Sequence, residues 1–141
     1  MPEPAKNYRP EGVTTITAYL IVKGGAQAID YYKAAFGAVE RFRMANPDGG
    51  IGHATLQIGD SIVYLADESP ANPSPKTLGG SPVTLHMYVP DCDATWKQAL
   101  AAGGTERSPL ADQEWGDRWG ELEDPFGHRW GISTQKQGGP G

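Results

Sequence analysis

The sequence predicts an α+β fold built from two βαβββ modules. Three observations carry this. The order strand, helix, three strands occurs once in each half of the chain. The turns joining the strands are short enough for antiparallel hairpins. A stretch rich in proline and glycine, "ESPANPSPKTLGGSP" at 68–82, separates the halves. It is expected to hold neither helix nor strand interior.

The elements follow in order. Module one, 14–67, begins with "TITAYLIV" as a strand and "GGAQAIDYYKAAFG" as a helix. Ala28, Ile29, Tyr32 and Phe36 recur at helical spacing, and Gly37 stops the helix as a C′ glycine does. "VERFRMA", "IGHATLQIGD" and "SIVYLAD" supply three strands with "NPDGG" and "GD" as turns. Module two, 83–134, opens with the strand "VTLHMYVPD". Its helix is "CDATWKQALAAGG", with Asp91 or Asp93 as N-cap and Gly103 as the stop. The turn-rich "TERSPLADQEWGD", then "RWGELEDPFG" and "HRWGIST", complete it. Residues 1–13 and 135–141 read as loose tails around a single domain at 14–134.

Composition narrows the function. The net charge is −5 and no Lys/Arg cluster occurs, which argues against nucleic-acid binding. One cysteine, Cys92, excludes an intrachain disulfide and a multi-Cys zinc site. It has no basic neighbour in sequence and reads as a small spacer rather than a nucleophile. No apolar run reaches the roughly 18 residues of a membrane span, and "MPEPAKNYRPEG" lacks a secretory h-region. A soluble, cytoplasmic protein with no membrane contact is the expectation. No Gly-rich strand-to-helix loop is present to hold a methyl-donor nucleotide.

The stretches "AIDYYKAAFGAVERFRM", "HATLQIGDSIVYLAD" and "GDRWGELEDPFGHRWGI" resemble the vicinal oxygen chelate superfamily. This is the glyoxalase, bleomycin-resistance and extradiol-dioxygenase group, and the likeness is to its PhnB-like branch. The resemblance implies one curved, mostly antiparallel sheet with helices on its convex face and a cavity on its concave face. It also implies a homodimer.

Strand parity then assigns faces, because alternate side chains point opposite ways. Ile16, Ala18, Leu20 and Val22 belong to the core side, as do Ala54, Leu56, Ile58, Val83, Leu85, Met87, Val89, Trp130 and Ile132. Thr17, Tyr19, His53, Tyr64, Thr84, His86, Tyr88, Trp119 and Glu121 take the concave side and are the candidate ligand-binding residues. Metal-using relatives carry ligands on the first and fourth strand of each module. By the resemblance those positions are Thr17, Tyr64, Thr84 and Gly131, a poor donor set for a divalent metal. The inherited metal site is therefore expected to be absent, with no cofactor. A relocated divalent metal on His53, His86 and Glu121 is the alternative.

Three function classes follow. The first is a module that binds a small organic ligand without chemistry. The second is a metal-dependent lyase, isomerase or dioxygenase using His53, His86 and Glu121. The third is a metal-free enzyme with Glu121 as candidate general base, which requires a raised carboxylate pKa. Aromatic residues favour a pocket: Tyr and Trp combine apolar area with a hydrogen-bonding tip. "DPFGH" reads as a structural turn, with Asp124 and Pro125 fixing its start and His128 exposed or bracing it. Asp117 and Arg118 are expected to pair.

Overall fold

Residues 3–139 are described by a computed structural model. Module one comprises β1 (Ala18–Val22), α1 (Gly25–Phe36), β2 (Val39–Ala45), β3 (Ile51–Ile58) and β4 (Ser61–Asp67). A short helix, α2 (Pro75–Leu78), lies in the linker. Module two comprises β5 (Thr84–Tyr88), α3 (Cys92–Ala102), β6 (Thr105–Asp112), β7 (Asp117–Glu123) and β8 (Arg129–Gln135). The α+β class, the repeated element order and the positions of both long helices are those the sequence indicates. Strand pairing stays within each module, giving two four-stranded mixed sheets, β1-β4-β3-β2 and β5-β8-β7-β6. In each, the first strand runs parallel to the fourth and the hairpins are antiparallel.

The helices start and stop for identifiable reasons. Gly37 adopts a left-handed conformation (φ 67°), and its N–H bonds the Lys33 carbonyl. Asp91 caps α3 by accepting from the Ala94 N–H at 3.2 Å. α1 has no side-chain cap of its own. Instead the Asp67 carboxylate, at the end of β4, accepts from the N–H groups of Gly24 and Gly25, and from Ile51 at the start of β3. A Cβ at Gly25 would lie 2.7 Å from that carboxylate, so glycine is required there.

One side of each sheet carries the core. Leu20, Val22, Ala54, Leu56, Val63 and Leu65 pack with Ala28, Ile29, Tyr32 and Ala35 of α1. Leu122, Trp130 and Ile132 pack with Trp96 and Ala99 of α3. Two core assignments from parity need correction: Ile16 is 87% and Val83 61% exposed. Both lie just outside their strands, whose first pairs are Ala18↔Val63 and Thr84↔Arg129. Beyond the ladder, alternation no longer fixes a side.

Polar contacts join the modules. The Asp124 carboxylate, 2% exposed, accepts from the Tyr32 hydroxyl of α1 and from the Trp130 indole N–H at 2.8 Å. It also accepts from the backbone N–H groups of Phe126 and His128, closing the "DPFGH" turn. Tyr31 donates to the Ala99 carbonyl, and Gln98 to the carbonyls of Ala34 and Ala35. His128, expected to be exposed or to brace the turn, takes the second role. Its side chain is half-buried and its Nε2 lies 2.8 Å from the Ile21 carbonyl, tying the turn to β1.

The linker also departs from expectation, because its proline sits where a helix tolerates one. Pro75 occupies the first helical turn of α2, Ser74 caps it, and Glu68 accepts from Ser74 N–H and the Thr77 hydroxyl. Pro75 is buried against Gly127, where a Cβ would come within 2.7 Å of the proline ring.

Candidate functional site

The face of each sheet opposite its helix gathers rings and polar tips. In module one, β1–β4–β3 register places Tyr19 beside Tyr64 and Tyr64 beside Thr55. The Tyr19 hydroxyl lies 2.9 Å from His53 Nδ1, and His53 Nε2 lies 3.3 Å from the Thr55 hydroxyl. The rings of His53 and Tyr64 are 4.9 Å apart, with Tyr19 edge-on to both. Thr17 stands half-buried just before β1.

In module two, cross-strand rows set the neighbours. His86 lies beside Gly131, which lies beside Glu121; Tyr88 lies beside Ser133, which lies beside Trp119. The reason for glycine at 131 is steric. An added Cβ would sit 2.9 Å from Trp119 Nε1 and 3.0 Å from His86 Nδ1. The glycine leaves room for an indole and an imidazole to cover the strand between them. His86 Nε2 meets the Ser133 hydroxyl at 3.0 Å, and its ring lies 4.9 Å from Tyr88. Trp115 packs edge-on to Trp119.

Charge on this face is already paired. Glu121, 7% exposed, accepts from the Thr84 hydroxyl and from Arg129 Nε and Nη2, with Arg107 Nε at 3.4 Å. Burial pushes its pKa up, but the Arg129 and Thr84 hydrogen bonds and both guanidinium charges outweigh it. The carboxyl is held below the usual range. This direction is opposite to the raised pKa that the general-base reading of Glu121 calls for. A folded-state pKa below the unfolded one stabilises the fold above the unfolded pKa, and this is lost as pH falls through the folded value. Wild type is therefore expected to lose more thermal stability than Glu121→Gln as pH falls below the ordinary glutamate range. Parallel melting curves across that window would refute the assignment.

Asp117 and Arg118 do not pair, since neighbours on a strand face opposite ways. Asp117, 2% exposed, accepts from the Tyr88 hydroxyl at 2.9 Å and from the Trp115 indole at 3.2 Å. The Asp117 hydrogen bond, burial and its charge raise the Tyr88 pKa. Arg118 pairs with Asp93 and Asp112.

The candidate residues divide between two sheets. His53 and Tyr64 line a hollow of about 610 Å³ on module one, bordered by residues 10–13. His86 and Tyr88 border a cleft of about 770 Å³ between the modules, walled by Phe36, Ile58, Leu85, Met87 and Trp130. Tyr19, Trp119 and Glu121 border neither of these two hollows, and His53 and Tyr88 border different ones.

Metal donors do not converge. Among the described residues no three His, Cys, Asp or Glu side chains lie close enough to hold an ion. His53 and His86 belong to different sheets, and Glu121 is committed to its arginines. The set Thr17, Tyr64, Thr84 and Gly131 does not fit a divalent metal either. Gly131 offers no donor and no room for one. Sequence reasoning missed Asp117, Arg107 and Arg129. The last was legible, because "ELEDPFGHR" folds Arg129 diagonally across from Glu121.

Two βαβββ modules, each forming a four-stranded mixed sheet, define the fold class. A sequence model of the Glyoxalase/Bleomycin resistance protein/Dioxygenase superfamily matches residues 13–132, and the chain belongs to that superfamily. It is 45% identical over 122 residues to the uncharacterized protein Mb0911c of Mycobacterium bovis, covering 83% of this chain and 80% of that one. The solved product of Arabidopsis thaliana At5g48480 is similar at 27% identity and TM-score 0.69, covering 85% of this chain and 98% of that one. TioX of Micromonospora sp. ML1 is similar at 26% identity and TM-score 0.69, covering 86% and 98%. Among the described residues no helix is long and apolar enough to cross a membrane.

Proposed function

We propose that the protein binds a small organic ring compound on its open sheet faces and has no inherited metal site. The observation carrying this is Gly131. Its missing side chain makes space for Trp119 and His86 where metal-using members of the superfamily present a carboxylate. The polar groups beside them hydrogen-bond one another, which suits a mostly apolar pocket with a few fixed polar contacts. The motifs "AIDYYKAAFGA" and "WGDR…DPFGH" resemble the PhnB-like branch and support that finer assignment.

The protein acts as a cytoplasmic homodimer in this proposal. Val39, Phe42 and Met44 of β2 are exposed, an apolar strip of the kind a partner covers. Cys92 is a buried free thiol, compatible with a reducing compartment.

Elemental analysis of untagged protein is expected to find no stoichiometric divalent metal. Para-nitrobenzyl alcohol is expected to quench tryptophan emission in the wild type and much less in Trp119→Leu. Near one equivalent of metal, lost in His53→Ala or His86→Ala, would overturn the proposal. Equal quenching in both proteins would show that the ring compound does not bind beside Trp119 on the face of module two.

A further inference from the structure

We infer that the open face of module one selects a ring compound carrying a single carboxylate, anchored by Arg41. This rests on the ring-ligand reading above and adds the charge of the ligand. Strand β2 carries a bulge: Glu40 pairs with Leu56 but Phe42 pairs with Thr55, so Arg41 is the extra residue. Val39 pairs with Gln57, so alternation puts Arg41 on the face that carries Gln57, Thr55 and His53. The bulge brings Phe42 to that same face, beside Arg41.

Arg41 is held there. Gln57 donates its Nε2 to the Gly59 carbonyl at 2.9 Å, which turns its Oε1 toward the guanidinium. That oxygen accepts from Arg41 Nε and Nη2. Of the five guanidinium hydrogens this leaves both on Nη1 and one on Nη2, the end-on fork that receives a carboxylate in two parallel bonds. Arg43, Arg107, Arg118 and Arg129 each face a carboxylate; Arg41 faces none among the described residues. A long side chain loses rotamer freedom when fixed, and Gln57 holds this exposed one by its Nε–Nη2 edge, so the end-on edge makes no hydrogen bond to the described residues.

The surroundings suit the rest of such a ligand. Both His53 nitrogens are engaged by the Tyr19 and Thr55 hydroxyls, so the imidazole stands as a fixed wall beside Tyr64. Val13 and Ile62 add apolar surface. Glu11 and Asp60 border the same hollow, and their charges work against any anion there. The bidentate contact with Arg41 has to outweigh them for one carboxylate, and a second negative group is disfavoured further.

Titration calorimetry with three probes tests this: para-nitrobenzoate, the neutral para-nitrobenzyl alcohol and the dianion terephthalate. The wild type is expected to bind para-nitrobenzoate at least about tenfold more tightly than either other probe, as one charge-assisted bidentate contact allows. Arg41→Gln should erase that preference and leave the alcohol's affinity unchanged. Arg41→Lys should restore only part of it, and Gln57→Leu should weaken the carboxylate alone. Equal binding of the carboxylate and the alcohol, unaltered in Arg41→Gln, overturns the anion anchor and leaves the ring-ligand reading standing. Tightest binding of terephthalate overturns the single-charge selection. Binding of none of the three overturns both readings. Melting temperatures of each variant within the wild-type range exclude misfolding as the cause.

Discussion

Asp124→Ala is expected to destabilise the protein by about 3–5 kcal/mol, the usual result of removing one member of a buried, charged hydrogen-bond group. The carboxylate is 2% exposed and serves four donors. Its loss leaves the Tyr32 hydroxyl and the Trp130 N–H buried without an acceptor. It also releases the turn that aims β8. Tyr32→Phe deletes a single donor and should cost about 2 kcal/mol, within the range for hydrogen bonds to charged groups. Urea unfolding with unchanged slope gives both values. An Asp124→Ala cost under about 1 kcal/mol, the size of one ordinary neutral hydrogen bond, would show that the Asp124 carboxylate contributes little to holding the modules together.

The second large effect concerns the strand between Trp119 and His86. Gly131→Val should cost about 1–3 kcal/mol, as overpacking of a filled site does, even though valine favours strands. It should also shift tryptophan emission, because the new side chain displaces the indole. Adding Trp119→Leu removes the clashing partner, so the double variant is expected to lose less than the sum of the two single losses. Strict additivity would mean that the indole does not occupy the space above Gly131.

How legible these features were depended on how local their causes are. The extent of α3 and the stops at Gly37 and Gly103 follow from signals within a few residues, and the sequence alone located them; it narrowed the cap of α3 to Asp91 or Asp93, of which Asp91 serves. The orientation of Tyr64 toward His53 followed from alternation inside a regular ladder. Ile16 and Val83 were misassigned because alternation was extended past the last paired residue. α2 was missed because its proline was read as a breaker, although a proline in the first turn gives up no helical hydrogen bond. Alternation from Val39 puts Arg41 on the Gln57 face, but no pattern in "VERFRMA" announces the bulge that brings Phe42 to the same side. The partners of Asp117 and Asp124 come from other elements, and sequence spacing does not reveal them. His53 and His86 illustrate the same limit: parity gave each a face and could not bring the two faces together.

The way α1 begins bears on how the chain folds. Its first N–H groups wait for Asp67, 43 and 42 residues further on, whereas α3 is capped by the residue just before it. Closing a long loop carries an entropy cost that a local cap avoids, and distant pairings form late. The two halves share an order of elements but not a timetable. During refolding α3 can complete its first turn as soon as Asp91 and Ala94 meet, while α1 stays frayed at its start until β4 has been laid down beside β1.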